Sequence, residues 1–129
     1  MVLTREPKDS SRQMFQKTLK GWKDLVDRPD AIVSLTDQEN NNNLSQMRYG
    51  IGFTDLGAIT MGKMKVRPIA IDGVEATAEN VQSGKYAFVK ELGFCFKGAP
   101  QGRLKEFVDF VFSPEGARIL VENGFVPLK

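Results

Sequence analysis

Val2-Leu3-Thr4-Arg5-Glu6-Pro7-Lys8-Asp9-Ser10-Ser11-Arg12 opens the chain as a short β-type run, a turn and the start of a helix. Glu6 to Asp9 is turn-rich, and Asp9 or Ser10 suits the helix cap, because a short polar side chain accepts from the unpaired amides of a first turn. Beyond it Phe15, Leu19, Trp22 and Val26 recur at helical spacing while Gln16, Lys17, Lys20 and Lys23 face away, which predicts a helix over 10–27.

Outward from this unit the pattern repeats. Ala31-Ile32-Val33-Ser34-Leu35 reads as a strand. Asp37 to Asn43, with its four consecutive asparagines, reads as a polar loop or the frayed start of a short helix ending at Arg48, and as the least structured part of the chain. Ile51-Gly52-Phe53 and Val66 to Ile71 are further strand candidates, the second closed by a turn at Asp72-Gly73. Thr54 and Asp55 read as a turn. Thr77 caps a short helix through Val81 that stops at Ser83-Gly84. Phe88 to Phe96 is extended and apolar and ends at Gly98-Ala99-Pro100. A helix then presents Leu104, Phe107, Val108 and Val111 on one face, Ser113-Pro114-Glu115 restarts it, and Gly124 ends it ahead of an apolar, packed tail from Phe125 to Leu128. Strands alternating with helices imply an α/β fold with parallel strands, and 129 residues suffice for one modest core.

Composition excludes several function classes. Eighteen Lys and Arg against sixteen Asp and Glu, scattered rather than clustered, do not make a nucleic-acid surface. There is no histidine, and the single cysteine, Cys95, lies within Leu92-Gly93-Phe94-Cys95-Phe96, where it reads as a small buried hydrophobe. The usual zinc constellations and the histidine base are thereby absent, and no carboxylate pair stands out, so no enzyme and no metal site is expected. Met1 leads into Val2-Leu3-Thr4 without a charged start and long apolar run, so neither a signal peptide nor a membrane span is expected in this chain. Lys63, Lys65 and Arg67 read as a solvated strand edge, and Trp22 as core beside Phe15 and Leu19. Gly50, Gly52 and Gly57 do not form a phosphate loop, since no Gly-Lys-Ser or Gly-Lys-Thr follows.

Four stretches, taken in order, carry a resemblance. They are Arg5 to Arg12, then Ile51-Gly52-Phe53-Thr54-Asp55-Leu56-Gly57, then Ile71 to Val81 with Ser83-Gly84-Lys85-Tyr86 behind it, and Phe107 to Val126 with Phe112-Ser113-Pro114-Glu115-Gly116 and Asn123-Gly124-Phe125-Val126-Pro127. Their order and spacing resemble the C-terminal part of the phosphate-binding-protein family, the type II periplasmic solute-binding proteins of ABC transporters. The resemblance implies a lobe with a mixed sheet flanked by helices, lacking the N-terminal part of the first lobe. Residues 1–88 would be the second lobe with an anion-binding helix N-terminus. Residues 89–129 would be the return strand and the C-terminal helices of the first lobe. The family holds its ligand in the cleft between lobes and passes it to a membrane permease, with no cofactor. The full-length protein would be periplasmic or at the cell surface.

The resemblance also implies site residues. The family's motif is an arginine, three residues, then Ser-Gly-Thr. Here Arg5 stands at the arginine, Asp9 at the serine, Ser10 at the glycine and Ser11 at the threonine. The Arg5 fork suits two oxygens of an anion, and the Ser10 and Ser11 hydroxyls and amides suit the others, at the positive end of a helix. Asp9 departs from the pattern. A carboxylate tolerates phosphate, whose proton it can accept, better than sulfate, molybdate or tungstate; as a plain residue it is a helix cap or a partner of Arg12. Thr54 completes the expected set. Phosphate is the expected oxyanion, with a cytoplasmic anion-sensing effector-binding module as the alternative. With the first lobe missing, the apolar faces of the C-terminal helices predict a homodimer.

Overall fold

The computed structural model describes residues 1–128. β1 (Leu3–Arg5) and β2 (Ile32–Ser34) run parallel, with Leu3 opposite Ile32 and Arg5 opposite Ser34. Ile51 adds a single parallel bridge on the other side. Its amide donates to Met1 O at 3.0 Å and its carbonyl accepts from Leu3 N at 2.8 Å, whereas Val2 O turns the opposite way to accept from Ile32 N at 2.9 Å. β1 is therefore central, which is why all three of its residues are buried.

Each of these three extended segments feeds a capped helix. Asp9 accepts from Arg12 N ahead of α1 (Ser10–Thr18). Thr36 accepts from Glu39 N ahead of α2 (Asp37–Gln46), and Asp55 from Ala58 N ahead of α3 (Leu56–Met61). In each case a side-chain oxygen satisfies an amide that the first turn leaves without a partner. Further on lie α4 (Ala78–Gln82), capped by Thr77, α5 (Gly102–Val111), and α6 (Pro114–Glu122), capped by Ser113 with proline in its first turn.

The molecule departs from the sequence reading at several places. The helix expected over 10–27 stops at Thr18, because Leu19 is extended and Gly21 takes φ +83°. A single 3₁₀ turn at Trp22–Asp24 follows. In a continuous helix Trp22 would stand about 10 Å along the axis from Phe15. The fold-back instead stacks the two rings at 5.2 Å, and Phe53 closes the cluster at 5.1 Å from Phe15. Of the two readings of 37–43 the helix holds: the asparagines lie in the middle of α2 rather than at a frayed start, and α2 ends at Gln46 rather than Arg48. Ile51 to Phe53 makes one bridge rather than a strand, and the turn expected at Thr54-Asp55 is the cap of α3.

Val66 to Ile71 forms no strand. Pro68 offers no amide to a ladder, and the pairing is limited to an antiparallel bridge between Ile71 and Val74. Asp72 and Gly73, at φ +52° and +78°, make the tight turn between them. Lys63, Lys65 and Arg67 are exposed, but on irregular chain rather than on a strand edge. Phe88 to Phe96 pairs with no strand among the described residues, and Cys95 is consequently exposed rather than buried.

The buried side chains are few and mostly polar among the described residues. Leu3 and Phe53 are apolar, while Thr4, Arg5, Ser34 and Asn40 are polar or charged. The aromatic cluster adds half-buried packing beside them, with Phe88 5.4 Å from Phe15 and Tyr86 5.6 Å from Phe88. Burial pushes the Tyr86 phenol pKa above its ordinary value. Surface ion pairs act locally. Arg28 holds the Asp30 carboxyl below its usual range, and Arg118 does the same to Glu115.

The C-terminal tail is anchored on α3. Phe125 lies against Gly57, where a Cβ atom would come within 2.3 Å of its ring, and Gly124 reaches φ +82° beside Leu56 O. α6 in turn abuts the end of α5, since a Cβ on Gly116 would stand 2.3 Å from Phe110 O. Gly57→Ala is expected to displace Phe125 and lower stability by about 1–3 kcal/mol, as overpacking does. Urea unfolding checks this, and an unchanged midpoint would mean that the tail leaves α3 at no cost.

Candidate functional site

The carboxyl end of the parallel strands is the place where this topology gathers polar groups. β1 ends at Arg5, β2 at Ser34, and the chain after Ile51 leads through buried Phe53 to Thr54. α1 and α2 start from the same edge, so their unpaired amides face it.

Arg5 is the centre of the arrangement. Its Nε donates to Ser34 O at 3.1 Å, one Nη pairs with Asp9 Oδ2 at 3.0 Å, and the other pairs with Asp37. The side chains of Arg5 and Asp9 are each 7% exposed, whereas Asp37 is 74% exposed. The two ion pairs therefore differ in kind. Removing one member of a buried pair strands the other charge at about 3–5 kcal/mol, while an exposed pair contributes about 0–1 kcal/mol. Asp37 is thus the partner of Arg5 that can leave at little cost.

Asp9 has two tasks. Oδ2 meets Arg5, and Oδ1 accepts from Arg12 N at 2.9 Å as the helix cap. It does not pair with the Arg12 side chain, whose Nη1 donates to Arg5 O at 2.7 Å and pairs with Asp27 at 2.6 Å. Because Arg12 N is capped, the amides of Ser10 and Ser11 are the unpartnered donors of the first turn among the described residues. The Ser10 and Ser11 hydroxyls accept from Lys90 Nζ, at 3.4 and 2.9 Å. Lys90 lies beyond the reach of sequence reasoning, since nothing local ties it to residues 79 and 80 positions away. It lies outside helix and strand, and Phe88 two residues earlier packs on Phe15.

Thr54 is joined to the rest through α2. Its hydroxyl donates to Asn41 Oδ1 at 2.6 Å, and neighbouring Asn40 Nδ2 donates to Phe53 O at 3.0 Å. Asn43 Nδ2 donates to Ser34 Oγ at 3.1 Å. Three of the four asparagines thus clamp α2 to two strand ends. Asn40, 2% exposed, keeps its Oδ1 without a partner. The structure therefore brings Arg5 and Asp9 into contact, sets Ser10 and Ser11 on the next turn, and links Thr54 to the same helix that carries Asp37. Among the described residues no group of three His, Cys, Asp or Glu side chains is placed to hold a metal ion.

No protein-family model matches the chain. Individual proteins do match. The phosphate-binding protein PstS 2 of Streptococcus agalactiae is 26% identical over 137 residues, covering 98% of this chain and 45% of its own length. The phosphate-binding protein PstS of Bacillus subtilis is 25% identical over 151 residues, covering 94% of this chain and 50% of its own length. The chain is homologous to the PstS phosphate-binding proteins. It spans about half the length of the curated relatives it matches. The fold agrees. A crystal structure from Clostridium perfringens, described as a phosphate ABC transporter substrate-binding protein with bound phosphate, superposes on the whole chain with a TM-score of 0.67 at 22% identity, over 52% of its own chain. A phosphate-binding protein of a Streptococcus pneumoniae phosphate ABC transporter superposes with a TM-score of 0.59 at 21% identity.

Arg5→Ala is expected to lower stability by about 3–5 kcal/mol by stranding Asp9, and Asp37→Ala by no more than about 1 kcal/mol. Urea unfolding of both variants measures the difference; equal losses would contradict the division between a structural and a removable partner.

Proposed function

We propose that the chain binds phosphate as the half of an ABC-transporter solute-binding protein that carries the arginine of the anion site. The observation that supports this best is the Arg5 fork at the carboxyl end of the central strand, beside the free Ser10 and Ser11 amides of α1. The homologues are binding proteins, and the residues gathered here supply donors and charge without a base or nucleophile, so the reading is capture and release rather than catalysis. In this reading Asp37 is the counter-ion that phosphate displaces from Arg5. Asp9 accepts the proton of monohydrogen phosphate while keeping its contact with Arg5, since each carboxylate oxygen has two lone pairs. Thr54 borders the ligand from the third strand end.

The division of the chain follows the same reading. Residues 1–88 form the lobe that carries the anion site, and residues 89–129 form the return segment and helices of a type II lobe whose N-terminal part is not in this chain. The full-length protein works outside the cytoplasm with a membrane permease. Among the described residues no helix is long and apolar enough to cross a membrane.

The C-terminal face calls for a cover. Leu104, Phe107 and Phe110 of α5 remain about half exposed, as do Phe94 and Val121. The occupant we propose for the isolated chain is a second copy, because two copies supply about as much polypeptide as one relative of twice the length.

Titration with phosphate at constant ionic strength should give saturable amide shifts at Ser10, Ser11 and Arg12, and Ser11→Ala should weaken binding about tenfold, the scale of one charge-assisted hydrogen bond. Asp9→Asn should improve sulfate relative to phosphate, because a donor replaces a charge. Absence of saturable shifts would remove the site. Sedimentation at micromolar concentration should report a dimer that Phe107→Asp dissociates or unfolds; a folded wild-type monomer would refute the paired face.

A further inference from the structure

Accepting the anion site above, we infer that Lys90 is its charge-supplying and positioning residue. The inference starts from a deficit. Arg5 lies between two carboxylates, Asp9 and Asp37, so the strand-end cluster by itself carries a net negative charge. Asp55, at the cap of α3, adds another acid on the same edge. Arg12 does not correct this, because Asp27 pairs with it. A doubly charged oxyanion approaching such a cluster meets repulsion that helix amides alone offset only in part.

Lys90 brings an unpaired positive charge to that point. Its ammonium reaches Ser11 Oγ at 2.9 Å and Ser10 Oγ at 3.4 Å and has no carboxylate partner among the described residues. The chemistry of the contact is directional. An ammonium only donates, so each serine oxygen must accept from it, and the hydroxyl proton is turned away from Lys90. Both serines are thereby held as donors, the role an oxyanion requires.

The placement follows from the packing. Phe88 and Lys90 are two residues apart on a segment that is neither helix nor strand, where Val89 N donates to Ala87 O at 3.1 Å and closes a tight turn around Phe88. Ser11 and Phe15 are four apart on one face of α1. Phe88 meets Phe15 at a centroid separation of 5.4 Å, one helical turn along α1 from Ser11. The aromatic contact thus sets the register that delivers the ammonium to Ser11. A shallow groove of about 520 Å³, lined in part by Ser10, Gln13, Met14 and Lys90, leaves the position open to solvent ions.

The test is a phosphate titration of the full chain, followed by the Ser10 and Ser11 amides at several salt concentrations. Lys90→Gln is expected to weaken phosphate about five- to tenfold and to flatten the dependence of affinity on salt, whereas Lys90→Arg keeps both within about twofold. Wild-type affinity and salt slope in Lys90→Gln, with Ser11→Ala still weakened, would overturn the role of Lys90 and leave the site standing. No saturable shift in the wild type would overturn site and inference together. Should Lys90→Gln unfold, dimethylation of the wild-type lysines provides the second readout, since phosphate should then move the Lys90 methyl resonance, and an unmoved resonance would overturn the inference.

Discussion

A buried guanidinium holds this fold together. Arg5 ends the central strand and ties it to the end of β2 through Ser34 O, to the start of α1 through Asp9 and to the start of α2 through Asp37. The apolar core around it is small, with Leu3 and Phe53 as its buried members among the described residues. In such a domain the hydrophobic term cannot dictate alone how the strand ends meet the helix starts, and directional bonds to one planar cation complete the specification. The dependence has a consequence for function. The group proposed to hold an oxyanion also holds the scaffold, so its loss would harm both, and functional roles are better dissected at Ser11 or Lys90.

The asparagines show the same economy at α2. A run of four has poor helix propensity and no apolar face, and on those grounds it reads as loop or as the frayed start of a helix. Tertiary contacts override this. Thr36 caps the helix, Asp37 and Glu39 lie at its positive end, and Asn40, Asn41 and Asn43 each find a partner on a neighbouring strand end. Local propensity carries no information about such long-range bonds, so the segment reads ambiguously between loop and helix, although it carries Asp37 and Asn41 of the proposed site.

What was legible had a local cause. The caps at Asp9, Thr77 and Ser113 and the ends of α5 and α6 all follow from turn chemistry and apolar spacing within a few residues. The expected site residues came from a short motif, and of these Arg5 and Asp9 meet directly. Lys90 and the asparagine clamp depend on contacts between distant segments. The strands expected at 66–71 and 88–96 failed for a related reason, since a strand needs a neighbour as well as a sequence, and none of the described residues lies alongside to supply the ladder.

The segment from Phe88 to Phe96 links the two ends of the molecule. Phe88 packs on Phe15 of α1, Lys90 reaches Ser10 and Ser11, and Phe94 meets Phe107 of α5 edge-on at 5.6 Å. One unpaired stretch of backbone therefore connects the proposed anion site to the exposed apolar face. Its amides and carbonyls lack the ladder that fixes an ordinary strand, so its side-chain contacts and any partner laid against it determine its position. A partner covering Leu92 and Phe94 would hold the same few residues that carry Lys90. In the proposed reading ligand affinity and association are linked through this stretch, since whatever restricts it before the ligand arrives reduces the ordering that binding must impose.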